Sequence, residues 1–262
     1  MKMLRSFLVT LVLIPLLAMG GQTVNTGNHR KVFSGGCTSE LPTAVSGLIL
    51  WVSADCYTHS GTCASMPSGS LASTSWYDQS GSGNTWAASG AGCTGSLAAI
   101  NGLPAATFDG ASCHFDASGS VTLASNFFSA FVVANGSSTS IGGTTGDAPQ
   151  YVIATNGAMY INAAGNFYIG EGTLTSTTGW HEYDAEYQQG TASLIYHLDG
   201  VVSPTSLGTP VSFTTTANRL GARNGPTEFL NGSLAEAFAY NVRVSPTDTT
   251  KLQCYLHNKY GL

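Results

Sequence analysis

The feature that most limits what this chain can fold into is the shortness of its apolar runs. From Gly47 onward these are Leu48–Val52, Ala105–Asp109, Phe127–Ala134, Tyr151–Ala154, Met159–Ile161 and Phe167–Ile169, each closed off by Gly, Ser, Asn or Asp. Short runs bounded by turn-forming residues read as strands, because none is long enough for a buried helix. Trp180–Gln188 and Ala192–Leu198 form the arms of a hairpin bending at Gln189-Gly190, and Leu234–Val242 gives a last strand. One segment reads as a helix. Ser245 can cap it, Pro246 suits its first position, Asp248 stands three residues after the cap, and Leu252, Tyr255 and Leu256 form an apolar stripe that should stop near Lys259, before Gly261. No repeat of fixed period is present, which disfavours propellers and solenoids. The expectation is an all-β, two-sheet antiparallel sandwich with a short C-terminal helix.

The ends of the chain suggest where it works. Lys2 and Arg5 precede an apolar stretch, Ser6–Met19, followed by the small residues Gly20 and Gly21. That is the pattern of a signal peptide over 1–20, too short to span a bilayer comfortably. Residues 21–36, with Asn28-His29-Arg30-Lys31, lack apolar periodicity and read as a flexible lead; the folded domain is expected over 37–262. Loss of Lys2 and Arg5 leaves seven cations against fourteen acids, a formal charge of −7. Such a surface argues against nucleic acid or an anionic membrane as partner.

Six cysteines in an exported chain point to disulfides. Fifteen connectivities are open to them. Cys56 and Cys63 flank a Gly-containing turn, and Cys93 and Cys113 bracket an apparent hairpin. Cys37 and Cys254 then remain to tie the first segment to the last, closing a loop of over two hundred residues. The chain-entropy model gives such a closure about 5 kcal/mol.

The segment richest in reactive groups is Trp180-His181-Glu182-Tyr183-Asp184-Ala185-Glu186-Tyr187. On a strand, Trp180, Glu182, Asp184 and Glu186 share one face. Carboxylates crowded together raise one another's pKa, which can place an acid beside a base. A retaining glycosidase needs two carboxyls about 5–5.5 Å apart. Glu182 and Glu186 stand about 13 Å apart along an ideal strand, so catalysis requires converging side chains. The same alternation also describes a solvated polar face. Asp78 and Asn84 offer oxygens to a calcium ion, or else Asp78 caps a turn relieved by Gly81 and Gly83. Trp86 and Trp180 are expected at the surface, able to stack on sugar faces, whereas Trp51 and Trp76 sit in core-like contexts. The zinc-protease pattern fails because Ala185 stands where the second histidine belongs, and no Gly-x-Ser-x-Gly elbow or phosphate loop occurs. Asn231-Gly232 reads as a hairpin turn.

Several motifs carry a family resemblance over nearly all of 37–262. Gly47-Leu48-Ile49-Leu50-Trp51-Val52-Ser53-Ala54-Asp55, Trp76-Tyr77-Asp78-Gln79-Ser80-Gly81-Ser82-Gly83-Asn84 and Asn101-Gly102-Leu103-Pro104-Ala105-Ala106-Thr107-Phe108-Asp109-Gly110 open the series. Trp180-His181, Tyr196-His197-Leu198-Asp199-Gly200, Leu230-Asn231-Gly232-Ser233-Leu234-Ala235-Glu236 and Lys259-Tyr260-Gly261-Leu262 continue it. In this order they resemble the concanavalin A-like lectin/glucanase superfamily and, within it, the bacterial and phage laminin-G-like jelly rolls. The resemblance implies a jelly roll that handles carbohydrate. The Glu-x-Asp-x-Glu spacing is similar to the catalytic strand of laminarinase/lichenase-type endo-glucanases, which would make Glu182 the nucleophile, Asp184 its assistant and Glu186 the acid/base. Tyr183 and Ala185 depart from the branched aliphatics of that strand. Asp78-Gln79-Ser80-Gly81 also resembles a short segment of fungal-type arabinofuranosidase domains, but Gly221-Ala222-Arg223-Asn224-Gly225 lacks the acid which that family carries there.

Three functions therefore stand open: a secreted lectin-like module binding a glycan, a retaining endo-glycosidase using Glu182, Asp184 and Glu186, and an adhesion module that meets protein. The sequence establishes no cofactor for any of the three, and calcium, at Asp78 and Asn84, is the metal it suggests.

Overall fold

The computed structural model of the chain describes residues 37–59, 62–123, 127–136, 142–143, 150–153, 158–163, 166–171, 179–188, 193–206, 215–222 and 229–262. The expected signal peptide and lead, the Gln189-Gly190 bend and Arg223-Asn224-Gly225 lie outside the described residues. Among the described residues no helix is long and apolar enough to cross a membrane.

The order of elements is β1 (Leu48–Ser53), β2 (Thr58–His59), β3 (Cys63–Ala64), β4 (Gly69–Ser70), β5 (Ser75–Tyr77), β6 (Thr85–Ser89), β7 (Thr94–Ile100), β8 (Leu103–Asp109), β9 (His114–Leu123) and β10 (Phe127–Gly136). There follow β11 (Gly142–Gly143), β12 (Gln150–Ile153), β13 (Ala158–Ala163), β14 (Asn166–Glu171), β15 (His181–Gln188), β16 (Ser193–Leu198), β17 (Val201–Ser206), β18 (Thr215–Leu220), β19 (Asn231–Tyr240) and the helix α1 (Pro246–Tyr260). Among the described residues the expected runs coincide with strands to within two residues at their ends.

The larger sheet runs β17-β16-β15-β10-β19-β8-β7-β4, with β1 added against β19. β19 shares one side between two partners, since Asn231–Leu234 pairs with β8 and Glu236–Tyr240 with β1. The second sheet runs β11-β18-β9-β6-β5, and all the pairings are antiparallel. Asn231-Gly232 is a correction: it lies inside β19, paired with Asp109 and Phe108, and makes no hairpin bend. Gly232 has a packing reason instead, because a Cβ there would sit 2.1 Å from the Asn135 carbonyl oxygen. The β16–β17 turn is Asp199-Gly200, with φ of 50° and 70°, the type I′ geometry that matches strand twist.

Two apolar layers result. Between the sheets lie Trp76, Trp86, Phe108, Phe115, Val132 and Tyr183. Trp86 is fully buried here, which corrects the expectation of a surface indole: strand alternation turns it inward beside Trp76 and leaves Ala87 facing out. On the opposite face of the large sheet, Trp51, Phe131, Phe238 and Tyr240 pack beneath Leu252, Leu256 and Tyr260 of α1. That helix begins as expected, with the Asp248 amide donating to Ser245 Oγ at 3.1 Å, and ends at Gly261 in the left-handed region. The disulfides Cys37–Cys254, Cys56–Cys63 and Cys93–Cys113 have Cα separations of 6.1, 4.6 and 4.8 Å, and the first ties α1 to the start of the described chain.

Candidate functional site

β15 alternates as its sequence requires. Tyr183 and Ala185 enter the layer between the sheets, while Glu182, Asp184 and Glu186 project to the other side, toward α1. The helix meets them in step. Thr249 Oγ1 donates to Glu186 Oε1 at 2.6 Å, Gln253 Nε2 donates to Asp184 Oδ2 at 2.7 Å, and His257 Nε2 stands 3.6 Å from Glu182 Oε2. Four helical residues rise about 6 Å and two strand residues about 6.6–6.8 Å, so successive helix turns match alternate strand positions. Arg243 Nε reaches Glu186 Oε2 at 3.3 Å, the Gly200 amide donates to Glu182 Oε2 at 3.0 Å, and His197 Nδ1 pairs with Asp184 Oδ1.

Exposure decides the chemistry of this row. Glu182 and Asp184 have none and Glu186 retains 3%. Burial, with the charge of Asp184 added, holds Glu182 well above the ordinary carboxylate range. Burial also raises Glu186, against the downward pull of the Thr249 hydroxyl. Raised carboxylates of this kind can mark a catalytic pair, but a glycosidase must admit a sugar between them. Here α1 occupies that space. The row is thus not a solvated face: the three expected carboxylates are buried against α1.

A second buried carboxylate lies beneath the same helix. Glu236, fully buried on β19, accepts from Trp51 Nε1 (2.7 Å), Tyr255 OH (2.9 Å), Tyr260 OH (2.7 Å) and Lys259 Nζ (2.9 Å). Burial and the charge of Glu236 raise both tyrosines, so their hydroxyls stay protonated as donors. Trp180 also lies on the α1 side of the sheet, partly buried, its Nε1 donating to the Ala99 carbonyl at 3.1 Å.

An open concavity lies at the turn between β5 and β6. Asp78 is completely buried and builds that turn: Oδ1 accepts from the Trp51 amide (3.0 Å) and the Ser80 amide (2.9 Å), and Oδ2 accepts from Ser82 Oγ (2.9 Å). Three donors from the chain engage the two oxygens, so Asp78 staples this turn. Asn84 Nδ2 donates to Ser82 Oγ at 3.1 Å. The stapled turn forms one wall of a cleft of about 410 Å³ lined by Leu48, Ile49, Ser80, Gly81, Ser82, Asn84 and Val121. That volume falls in the range of small-molecule sites, about 300–1,000 Å³. Its lining is aliphatic at Leu48, Ile49 and Val121 and carries hydroxyls and an amide without a charged group. Sequence reasoning reached the turn, through Asp78 and Asn84, and missed Leu48, Ile49 and Val121, which read as ordinary strand residues.

No family model and no curated protein matches the sequence. Solved structures do resemble the fold. Domain 4 of AbnA, a GH43 extracellular arabinanase from Geobacillus stearothermophilus, was solved in complex with arabinotriose. It aligns with a TM-score of 0.56 at 14% identity, over 79% of this chain and 98% of that one. An arabinofuranosidase complexed with arabinofuranosyl-alpha-1,2-xylobiose aligns at 0.52 and 13% identity, over 81% of this chain and 63% of that one. A mutant Trypanosoma rangeli sialidase displaying trans-sialidase activity aligns at 0.51 and 12% identity, over 86% of this chain and 35% of that one. The chain spans less than two thirds of the latter two proteins, and at these identities the likeness is one of fold.

Proposed function

We propose that the chain is a secreted carbohydrate-binding β-sandwich module of the concanavalin A-like, laminin-G-like kind. Residues 37–262 form the module, and the cleft bounded by Ser80–Asn84 is its saccharide seat. The observation that carries this reading is the composition of the cleft. An aliphatic floor of Leu48, Ile49 and Val121 suits the C–H face of a sugar ring, and uncharged donors and acceptors from Ser80, Ser82 and Asn84 suit its hydroxyls. The fold likeness to a domain solved with arabinotriose and to an arabinofuranosidase solved with an arabinofuranosyl-xylobiose makes pentose-containing glycans the first class to test. Three disulfides suit an oxidising, extracellular compartment. Burial of Glu182, Asp184 and Glu186 supports binding over hydrolysis.

Titration calorimetry against arabinan, xylan, mixed-linkage β-glucan and polygalacturonate, with their oligosaccharides, tests the seat. At least one neutral glycan should bind, and Asn84→Ala and Ile49→Trp, the latter filling the floor, should each weaken it about tenfold or more with unchanged melting. Binding indifferent to both substitutions moves the seat elsewhere. A parent protein that binds no glycan in the panel leaves the protein-adhesion reading in its place.

A further inference from the structure

The last turn of α1 brings an amine against a carboxyl group far away in sequence. Lys259 Nζ stands 3.0 Å from Oδ1 of Asp55, which follows β1 in the helical turn Ala54–Cys56. The same nitrogen lies 2.9 Å from Glu236 Oε2, 2.9 Å from Ser53 Oγ and 3.2 Å from Tyr255 OH. An ammonium has three donors, and here four oxygens crowd it. The rings of Tyr255 and Tyr260 flank it, with centroids 5.5 and 5.3 Å away.

The groups differ in their access to water. The side chain of Glu236 has no exposure, that of Lys259 17% and that of Asp55 35%. A buried acid therefore backs the amine, and the carboxyl group facing it opens outward. Ser53 Oγ joins the two acids, donating to Asp55 Oδ1 and lying 3.3 Å from Glu236 Oε2. Ser53 and Glu236 are partners across β1 and β19, so the sheet fixes their spacing. Lys251 offers the contrast. Its Nζ meets Glu40 at 2.8 Å and Asp248 at 3.2 Å, an ion pair among part-exposed surface groups, which is an ordinary arrangement.

We propose that Lys259 and Asp55 condense to an intramolecular isopeptide bond, with Glu236 and Ser53 relaying the protons. Glu236 accepts a proton from the Lys259 ammonium and passes it through Ser53 to the Asp55 carboxylate. The freed lone pair on Nζ then forms a C–N bond to Asp55 Cγ. A second Nζ proton follows the same relay, one C–O bond of Asp55 breaks, and that oxygen leaves as water carrying both protons. One hydrogen stays on the amide nitrogen, no electron is gained or lost, and one positive and one negative charge disappear together. With Nζ 3.0 Å from Oδ1, the amine is one bond away from the carbon it attacks. Holding reactants in such geometry replaces an encounter in solution with an effective molarity of about 10⁵–10⁸ M. The open side of Asp55 gives the water its exit. Chain in which the bond has not formed keeps the ion pair. The product joins the end of α1 to the end of β1 and, unlike Cys37–Cys254, survives reduction.

Mass spectrometry of the full chain, reduced and denatured, tests this. The parent should weigh one water less than its sequence requires, and its digest should yield a branched peptide joining Lys259 to Asp55. Lys259→Arg, which keeps the cation, and Asp55→Ala should each restore the full mass. Glu236→Gln keeps the shape of an acceptor but cannot carry the proton. Once its three disulfides are verified before reduction, it should stay unlinked. Lys251 should be free in the same digests. A parent that holds its full mass after days at neutral pH overturns the bond. A lost water that maps to a succinimide at Asp109-Gly110 or Asp199-Gly200 overturns it equally. Linkage in Glu236→Gln at the parental rate would overturn the relay.

Discussion

Two buried carboxylate sites lie beneath one helix and are solved in opposite ways. Glu236 is met by a cation: Lys259 Nζ reaches its Oε2, Ser53 Oγ and Asp55 Oδ1 at 2.9, 2.9 and 3.0 Å, and an indole and two phenols supply the remaining donors. The β15 row gathers three acids, with Arg243 reaching Glu186 and an amide, a hydroxyl and imidazoles facing the row. Burial raises Glu182 and Glu186 of the row, which favours their protonated forms. The sites thus differ in how their buried oxygens are met, although the same helix covers both.

The largest effect should come from removing the cation. Lys259→Met leaves Glu236 buried without its cation, and should cost about 3–5 kcal/mol in denaturant unfolding. A loss under 1 kcal/mol would mean that the phenols and indole suffice and the contrast is false. Stripping a donor from the acid row should cost less. Gln253→Leu removes the 2.7 Å bond to Asp184 Oδ2 and should cost about 1–3 kcal/mol at neutral pH.

The smallest effect is the most diagnostic. Glu182 and Glu186 are raised in the folded state, so below about 4.5, their ordinary value, both are protonated whether folded or not. Their contribution is present in full there and is lost as pH climbs through the raised folded values. Glu182→Gln keeps the neutral shape. It should match the parent near pH 4.5, equal or exceed its melting temperature at pH 8, and flatten the decline between. A variant less stable than the parent at pH 8 would show that Glu182 is held ionised after all.

Much of this arrangement was legible in the sequence. Short apolar runs specified the strands, the Ser245-Pro246-Asp248 pattern specified the helix start, and alternation along β15 correctly put Glu182, Asp184 and Glu186 on one face. What covers that face was not legible, because it depends on Thr249, Gln253 and His257. At four-residue spacing these polar residues read as the solvent side of a helix, and they are buried only because acids oppose them. Trp86 failed for a related reason: in a small-residue context a single indole gives no sign of which side of its sheet is the core. Asp78 was correctly placed at a turn, but its role in shaping a cleft needed Leu48 and Ile49 from β1 and Val121 from β9, far away in sequence.

The central claim is that the carboxylate row holds the helix and that saccharide is bound without being cut. Release of reducing ends from the glycan bound most tightly, followed over hours at pH 5 and pH 7 for the parent and for Glu182→Gln, tests it directly. Neither protein should release reducing sugar above the blank, and both should bind that glycan with the same affinity. Turnover by the parent that disappears in Glu182→Gln would contradict the claim and return the row to catalysis.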